Sequence, residues 1–227
     1  GISAESGIPT FRGPGGLWES HRAEDLATPE AFARDPELVW RWYEWRRGIV
    51  RDAQPNAAHR ALARLADGLA SAGGRATLIT QNVDGLHARA GSRDVLELHG
   101  NIFRARCSRG HKADVFGAFA EIPPSCSCGA MLRPDIVWFG EALPAGVLAN
   151  ASTAVMDCDL LLIIGTSGVV YPAAGLASLL RNGRAVEINP AASALASRCD
   201  FVIESTAVTA QRVSPLIRMP NRIFLSM

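Results

Sequence analysis

The chain has 227 residues, 48% hydrophobic and 20% charged, which suits one large core or a core with a small module. A formal net charge of +1 excludes any global pull on nucleic acid, so a charged partner must be gripped locally. No apolar run approaches the roughly 20 residues of a membrane span, and no secretory pattern opens the chain. Five cysteines, an odd number, argue against a disulfide framework and for a reducing, cytoplasmic setting.

The chain opens on "GISAESGIPTFRG" (1–13), whose small residues, with Glu5, Phe11 and Arg12, make a loop able to approach a phosphate closely. A surface loop with a solvated arginine is the simpler reading of that stretch alone. Residues 21–56 are helical in pattern and rich in tryptophan and arginine. Within them "RWYEWRRG" (41–48) places Tyr43 and Arg46 three positions apart, on one helical face. Arg46 there either snorkels over packed rings or waits for an anion, and Arg47 reads as solvated.

"PNAAHRALARLADGLASAGG" (55–74) predicts a helix that feeds the apolar strand "RATLIT" (75–80). "TQNVDGLHARAG" (80–91) follows directly. It puts Gln81, Asn82 and Asp84 at the carboxyl end of that strand, where ligands of open α/β sheets bind. Asp84 also suits the N-cap of a short helix. "VLELHGN" (95–101) ends a further strand-like run on His99, a residue suited to general-base work when a substrate can reach it.

Residues 104–133 hold Cys107, Cys126 and Cys128 among prolines and glycines. Cys158 and Cys199 read as packing residues. The strand "DLLLIIGT" (159–166), a helix over the apolar stretch after "GTSG" (165–168) and the strand "RAVEIN" (184–189) make a βαβ unit. Where a dehydrogenase strand ends in an acid for the ribose, this one ends in Asn189. The chain starts inside a glycine turn with no strand before it. The tail "AQRVSPLIRMPNRIFLSM" has two prolines and no clean period, so a truncated start and a non-native end are expected.

The fold read from these elements is α/β: a Rossmann-like, doubly wound parallel sheet with a smaller lobe. Residues 1–20, 57–103 and 134–207 are assigned to the sheet lobe. Residues 21–56 and 104–133 go to the small lobe, a helical module plus a zinc-ribbon-like one, and 208–227 to an atypical tail.

Taken together, "GISAESGIPTFRG", "TQNVDGLH", "LHG", "LRPDIVWFGE" and "IIGTSGVVYPA" resemble the sirtuins, the NAD-dependent protein-lysine deacylases, over almost the whole chain. The resemblance implies NAD bound between the lobes. By it, Gly1, Ala4, Glu5, Phe11 and Arg12 belong to the cofactor loop, and Phe11 shields the reactive sugar. Gln81 and Asn82 contact ribose, Asp84 contacts the nicotinamide amide, and Gly165, Thr166, Ser167, Asn189 and Ala207 lie on the adenosine side. His99 is the catalytic base, assisted by Asn82. The Val137 carbonyl accepts the acyl-lysine N–H, and backbone around Phe139 pairs with the substrate peptide. The implied products are free lysine, nicotinamide and O-acyl-ADP-ribose.

"EDLATPEAFARDPELVWRWYEWRRG" (24–48) resembles more narrowly the class III sirtuins, which remove succinyl and malonyl groups. Tyr43 and Arg46 match that class's Tyr-x-x-Arg pair, and Ala23 and Ala27 match the small residues that widen its acyl pocket. An ordinary deacetylase in which Tyr43 and Arg46 only pack stays open, as does a non-catalytic NAD- or peptide-binding module. The family's two cysteine pairs are incomplete here, since Gly110 stands at one partner position and His111 follows it. A Cys₃His zinc set of Cys107, His111, Cys126 and Cys128 is one reading, and a metal-free lobe held by packing is the other. Acylated lysine is the implied partner of a chain expected to be monomeric, with no nucleic acid and no membrane.

Overall fold

Apolar strands of five or six residues bury both faces only inside a sheet covered by helices on each side. A computed structural model, which describes residues 1–9, 17–18, 21–111, 115–116, 119–210 and 222–226, contains that sheet. A 3-10 turn (Ala4–Ser6) comes first, then the short antiparallel pair β1 (Leu17–Trp18) and β2 (His21–Arg22). Helices α1 (Ala23–Leu26), α2 (Pro29–Arg34) and α3 (Pro36–Asp52) follow. Side chains start two of them: Thr28 Oγ1 accepts from the Ala31 N–H and Asp35 Oδ1 from the Leu38 N–H, each before a proline at the first helical position.

Asn56 caps α4 (Ala57–Ser71) in the same way, and Gly73, at φ 79°, turns the chain into β3 (Arg75–Thr80). Next come α5 (Leu86–Arg89), β4 (Leu96–Glu97), β5 (Gly100–Cys107), β6 (Val115–Phe116), β7 (Leu132–Ile136), α6 (Ala145–Met156) and β8 (Leu160–Ile164). A 3-10 segment (Ala173–Leu179) leads to β9 (Arg184–Asn189). A second one (Ala196–Arg198) precedes β10 (Phe201–Glu204), α7 (Ala207–Ala210) and β11 (Arg222–Ser226).

Six strands form one parallel sheet in the order β10-β9-β8-β11-β3-β4. Period-two alternation along β8 explains its layers. Leu160, Leu162 and Ile164 pack against Leu62 and Leu69 of α4, while Leu161 and Ile163 face Ala151 and Val155 of α6 on the other side. The sheet is therefore doubly wound, as expected.

Two parts of the reading change. The helix expected between β8 and β9 is a seven-residue 3-10 segment. The tail is not separate from the sheet: β11 lies between β3 and β8, parallel to both, with Ile223 opposite Ala76 and Leu160. A short β-forming run that satisfies two open strand edges outweighs the prolines upstream of it.

The small lobe joins α1–α3 to the three-stranded antiparallel sheet β6-β5-β7. Trp40 plugs the two together, its indole N–H donating to the Leu132 carbonyl at 2.9 Å. Arg47 is not solvated but fully buried. Helix α3 crosses β5, so Nε reaches the Ile102 carbonyl at 2.6 Å while Nη1 pairs with Glu44 at 2.6 Å. The guanidinium also lies over Trp40 and Phe119, about the only kind of setting in which a buried cation is tolerated. Among the described residues, no helix is long and apolar enough to cross a membrane.

Candidate active site

The carboxyl ends of β3, β8 and β9 open onto a cavity of about 740 Å³, roofed by the small lobe. Gln81 and Asn82 enter it after β3, Gly165, Thr166 and Ser167 after β8, and Asn189 at the end of β9. Thr166 ties these ends together. Its hydroxyl oxygen accepts from Gln81 Nε2 at 3.3 Å, and its carbonyl accepts from Asn189 Nδ2 at 2.8 Å. Gly165, at φ 62°, lets the opening loop lie directly on this turn, since a Cβ there would stand 2.6 Å from the Ile2 nitrogen. Gly1 and Ala4 of that loop line the cavity too.

His99 stands on the floor with Nδ1 3.0 Å from the Gln81 carbonyl. A carbonyl only accepts, so Nδ1 carries the proton and Nε2 keeps a lone pair. Burial holds the ring's pKa below its ordinary 6.5, against the raising effect of that hydrogen bond. Asp84 does both things its position allowed: it lines the cavity, and its Oδ1 accepts the Leu86 N–H at 2.8 Å.

Behind this floor lies a polar group that the sequence did not single out. Ser3 Oγ meets Asn82 Nδ2 at 3.2 Å and His59 Nε2 at 3.3 Å, and the His59 ring lies 4.6 Å from that of His87, tilted by 51°. Both histidines are buried, which lowers their pKa values to about 4 for His59 and about 3 for His87. Nothing local in the sequence marks them, because one sits in a helix and the other follows a glycine turn.

Arg46 reaches the roof beside Ala27, Val50 and Trp138, its guanidinium 5.3 Å from the centre of the Trp42 ring. Burial lowers its pKa, and Tyr43 and Asp84 oppose that. Tyr43 is not on the wall. It is fully buried one layer behind, its oxygen accepting from Trp138 Nε1 at 2.9 Å. Ala23 also lies behind the surface while Ala27 is on it, since the cavity cuts only one edge of the helical face. Val137 and Phe139 line the mouth. Their N–H groups donate to the His99 and Ala27 carbonyls at 3.0 and 2.9 Å, the second bond joining the helical module to the sheet side.

Glu5 and Ala207 are not among the lining residues. Instead, Glu5 accepts from Thr206 Oγ1 and the Val208 N–H at 3.0 and 3.2 Å, pinning the start of α7. Phe11 and Arg12 lie outside the described residues.

Away from the cavity, the sulfurs of Cys107, Cys126 and Cys128 lie within 4.8 Å of one another. Cys107 and Cys128 are 3.6 Å apart, and His111 Nδ1 is 3.3 Å from Cys126 Sγ. A tetrahedral zinc with Zn–S bonds of about 2.3 Å requires edges of about 3.8 Å, so the three sulfurs suit that ion, while His111 touches Cys126 but lies outside the group of mutually close donors. Gly110, at φ 75°, makes the turn between Cys107 and His111. With His111 closing the set as a fourth protein donor, such a zinc would be structural.

The model of the Sir2 family matches residues 1–172. The NAD-dependent protein deacylase 2 of Pyrobaculum aerophilum is 52% identical over 211 residues, covering 91% of this chain and 83% of that protein. The NAD-dependent protein deacylase of Aeropyrum pernix is 52% identical over 219 residues, covering 94% and 88%. A solved Sir2 homologue in complex with NAD superposes with a TM-score of 0.85 at 46% identity, covering 92% of this chain and 82% of that one. A Sir2 complex with a p53 peptide and NAD⁺ gives 0.80 at 31% identity, covering 93% and 87%.

Proposed function

The chain belongs to the Sir2 family, and on that premise we propose that it is an NAD-dependent protein-lysine deacylase that prefers succinyl and malonyl groups to acetyl. The cavity suits a dinucleotide. It spans three strand ends, is bounded by a backbone-on-backbone contact at Gly165, and presents the amides of Gln81, Asn82 and Asn189 with the hydroxyls of Thr166 and Ser167 where a phosphate and riboses would lie. Gln81, Asn82, Thr166, Ser167 and Asn189 would hold it. When bound, NAD supplies an electrophilic ribose carbon with nicotinamide as its leaving group.

No side chain need act as a nucleophile. His99 Nε2 takes a proton from a hydroxyl brought into the cavity, with Nδ1 anchored on the Gln81 carbonyl so that the ring keeps that orientation. Asn82, held by Ser3, is placed to orient the same hydroxyl. Substrate peptide pairs with the backbone at Val137 and Phe139, a mode that reads little sequence. Lysine, nicotinamide and O-acyl-ADP-ribose leave. Cys107, Cys126 and Cys128, with His111 as the fourth donor, would hold a structural zinc that braces the small lobe.

One observation supports the acyl preference: a buried guanidinium, Arg46, forms part of an otherwise largely apolar roof. A hydrogen bond to a charged group contributes about 1.5–3 kcal/mol, so one or two from this corner favour a carboxylate-tipped chain by roughly 10- to 10⁴-fold. The ordinary-deacetylase reading draws on a different observation, that Tyr43 sits behind the wall with its oxygen already engaged.

The deciding experiment gives one peptide in succinyl-lysine and acetyl-lysine forms, each with NAD, and follows nicotinamide release and peptide mass. Arg46→Met is expected to lose about 100-fold in kcat/KM on the succinyl form and far less on the acetyl form. Equal losses on both return Arg46 to packing, and no nicotinamide from either leaves only a binding module.

A further inference from the structure

We propose that Glu187 is a positioning residue for the cofactor: acting through Asn189, it makes the β9 end of the cavity take a ribose hydroxyl and refuse a ribose phosphate. This rests on the reading of NAD as the cofactor. In the dinucleotide-binding folds of dehydrogenases, a strand ends in an acid that accepts from the ribose hydroxyls. Here β9 ends in Asn189, and the acid stands two residues earlier on the same side of the strand. Glu187 is fully buried, whereas Asn189 lines the cavity. The acid has withdrawn one layer and works through an amide.

Asn189 Nδ2 donates to the Thr166 carbonyl at 2.8 Å and to Glu187 Oε1 at 3.2 Å. Both oxygens accept, so both amide hydrogens are spent and the amide has one orientation. Oδ1, which only accepts, is the polar atom Asn189 has left to offer a ligand. Glu187 Oε1 also accepts the Ser193 N–H at 2.9 Å, and the Ala194 N–H donates to the Ser167 carbonyl at 3.3 Å. The loop from Pro190 to Ala194, which lines this end, is thereby tied to β9 beneath it and to the turn after β8. A ribose hydroxyl donates to an oxygen so placed, but a phosphate dianion has only acceptors and meets it as repulsion. No cation at this end offsets that: among the described residues, Arg46 in the roof is the one arginine or lysine lining the cavity. Without the Glu187 acceptor one amide hydrogen is left over, the side chain can turn, and the same residue offers an N–H to a phosphate.

Titration calorimetry tests this by giving Kd for NAD and for NADP on the full chain. The proteins compared are the wild type, Glu187→Ala, Glu187→Gln, Asn189→Ala and the Glu187→Ala/Asn189→Ala pair. The wild type is expected to bind NAD at least about 100-fold more tightly than NADP, and Glu187→Ala to cut that ratio about tenfold. Glu187→Gln, whose amide oxygen still accepts, should keep the ratio, and Glu187→Ala should change nothing further once Asn189 is alanine. An unmoved ratio in Glu187→Ala, a Glu187→Gln as impaired as Glu187→Ala, or a further fall in the Asn189→Ala background each overturns the relay. If Glu187→Ala does not fold, Asn189→Ala alone decides, since it must narrow the ratio and an unchanged one overturns the proposal. A wild type that binds both dinucleotides equally overturns the selectivity, and one that binds neither removes the cofactor reading and this inference with it.

Discussion

Acidifying the protein from pH 7 to pH 5 protonates any histidine that water can reach, and His59 and His87 are out of reach. Their rings lie 4.6 Å apart in the interior, and neither nitrogen of His87 has a hydrogen-bond partner among the described residues. Burial lowers His59 to about 4 and His87 to about 3, with repulsion from His59 adding to the second. In the unfolded chain both return to about 6.5. Between those limits the unfolded state binds protons that the folded state refuses. Stability is therefore complete above pH 6.5 and declines as the pH falls below it. From pH 7 to 5 the linkage removes about 2 kcal/mol per histidine, roughly 4 kcal/mol for the pair, from a total of about 5–15 kcal/mol.

His87→Leu separates this term from the rest. It keeps a similar volume and deletes an imidazole whose polar atoms are buried without partners, so it is expected to be neutral or stabilising at pH 7. The loss between pH 7 and 5 should shrink by about 2 kcal/mol. His99, also held below 6.5, contributes in the same direction in both proteins and cancels in the comparison. Urea unfolding followed by tryptophan fluorescence at the two pH values gives both free energies. A wild type equally stable at pH 5 and 7, or a variant with an undiminished acid loss, refutes the reasoning.

Three further outcomes are expected. Metal analysis should find one zinc per chain, and His111→Ala or Cys128→Ser should speed its loss to a chelator and lower the thermal midpoint; a metal-free chain equally stable would dismiss the site. Gly165→Ala places a Cβ 2.6 Å from the Ile2 nitrogen at φ 62°, so calorimetry should show NAD binding weakened at least about tenfold, and unchanged binding would contradict the packed floor. Because burial holds His99 below 6.5, the acid limb of kcat/KM should lie under that pH and vanish with the residual activity of His99→Ala; a limb above 6.5 assigns the base elsewhere.

Much of this molecule was legible in order of residues alone. Period and punctuation located β3, β8, β9 and α4 almost to the residue, because an apolar run between glycines has few other structures open to it. The same local logic put Gln81, Asn82, Asp84 and His99 at strand ends, where the cavity lies. What the order of residues could not carry is depth and partnership. Arg47 and Arg46 are chemically alike, yet Arg47 crosses β5 and is sealed by Ile102 and Glu44 while Arg46 turns to the cavity. Tyr43 shares a helical face with Arg46, yet it is buried with its oxygen bonded to Trp138, 95 residues away, while Arg46 lines the cavity. The last strand shows the same limit: nothing inside "RIFLS" says that β3 and β8 need a neighbour between them. Local pattern determines which segments can be strand, helix or turn. Which charges are buried and which protons are left to give depend on contacts between segments distant in the chain, and those exist only once it has folded.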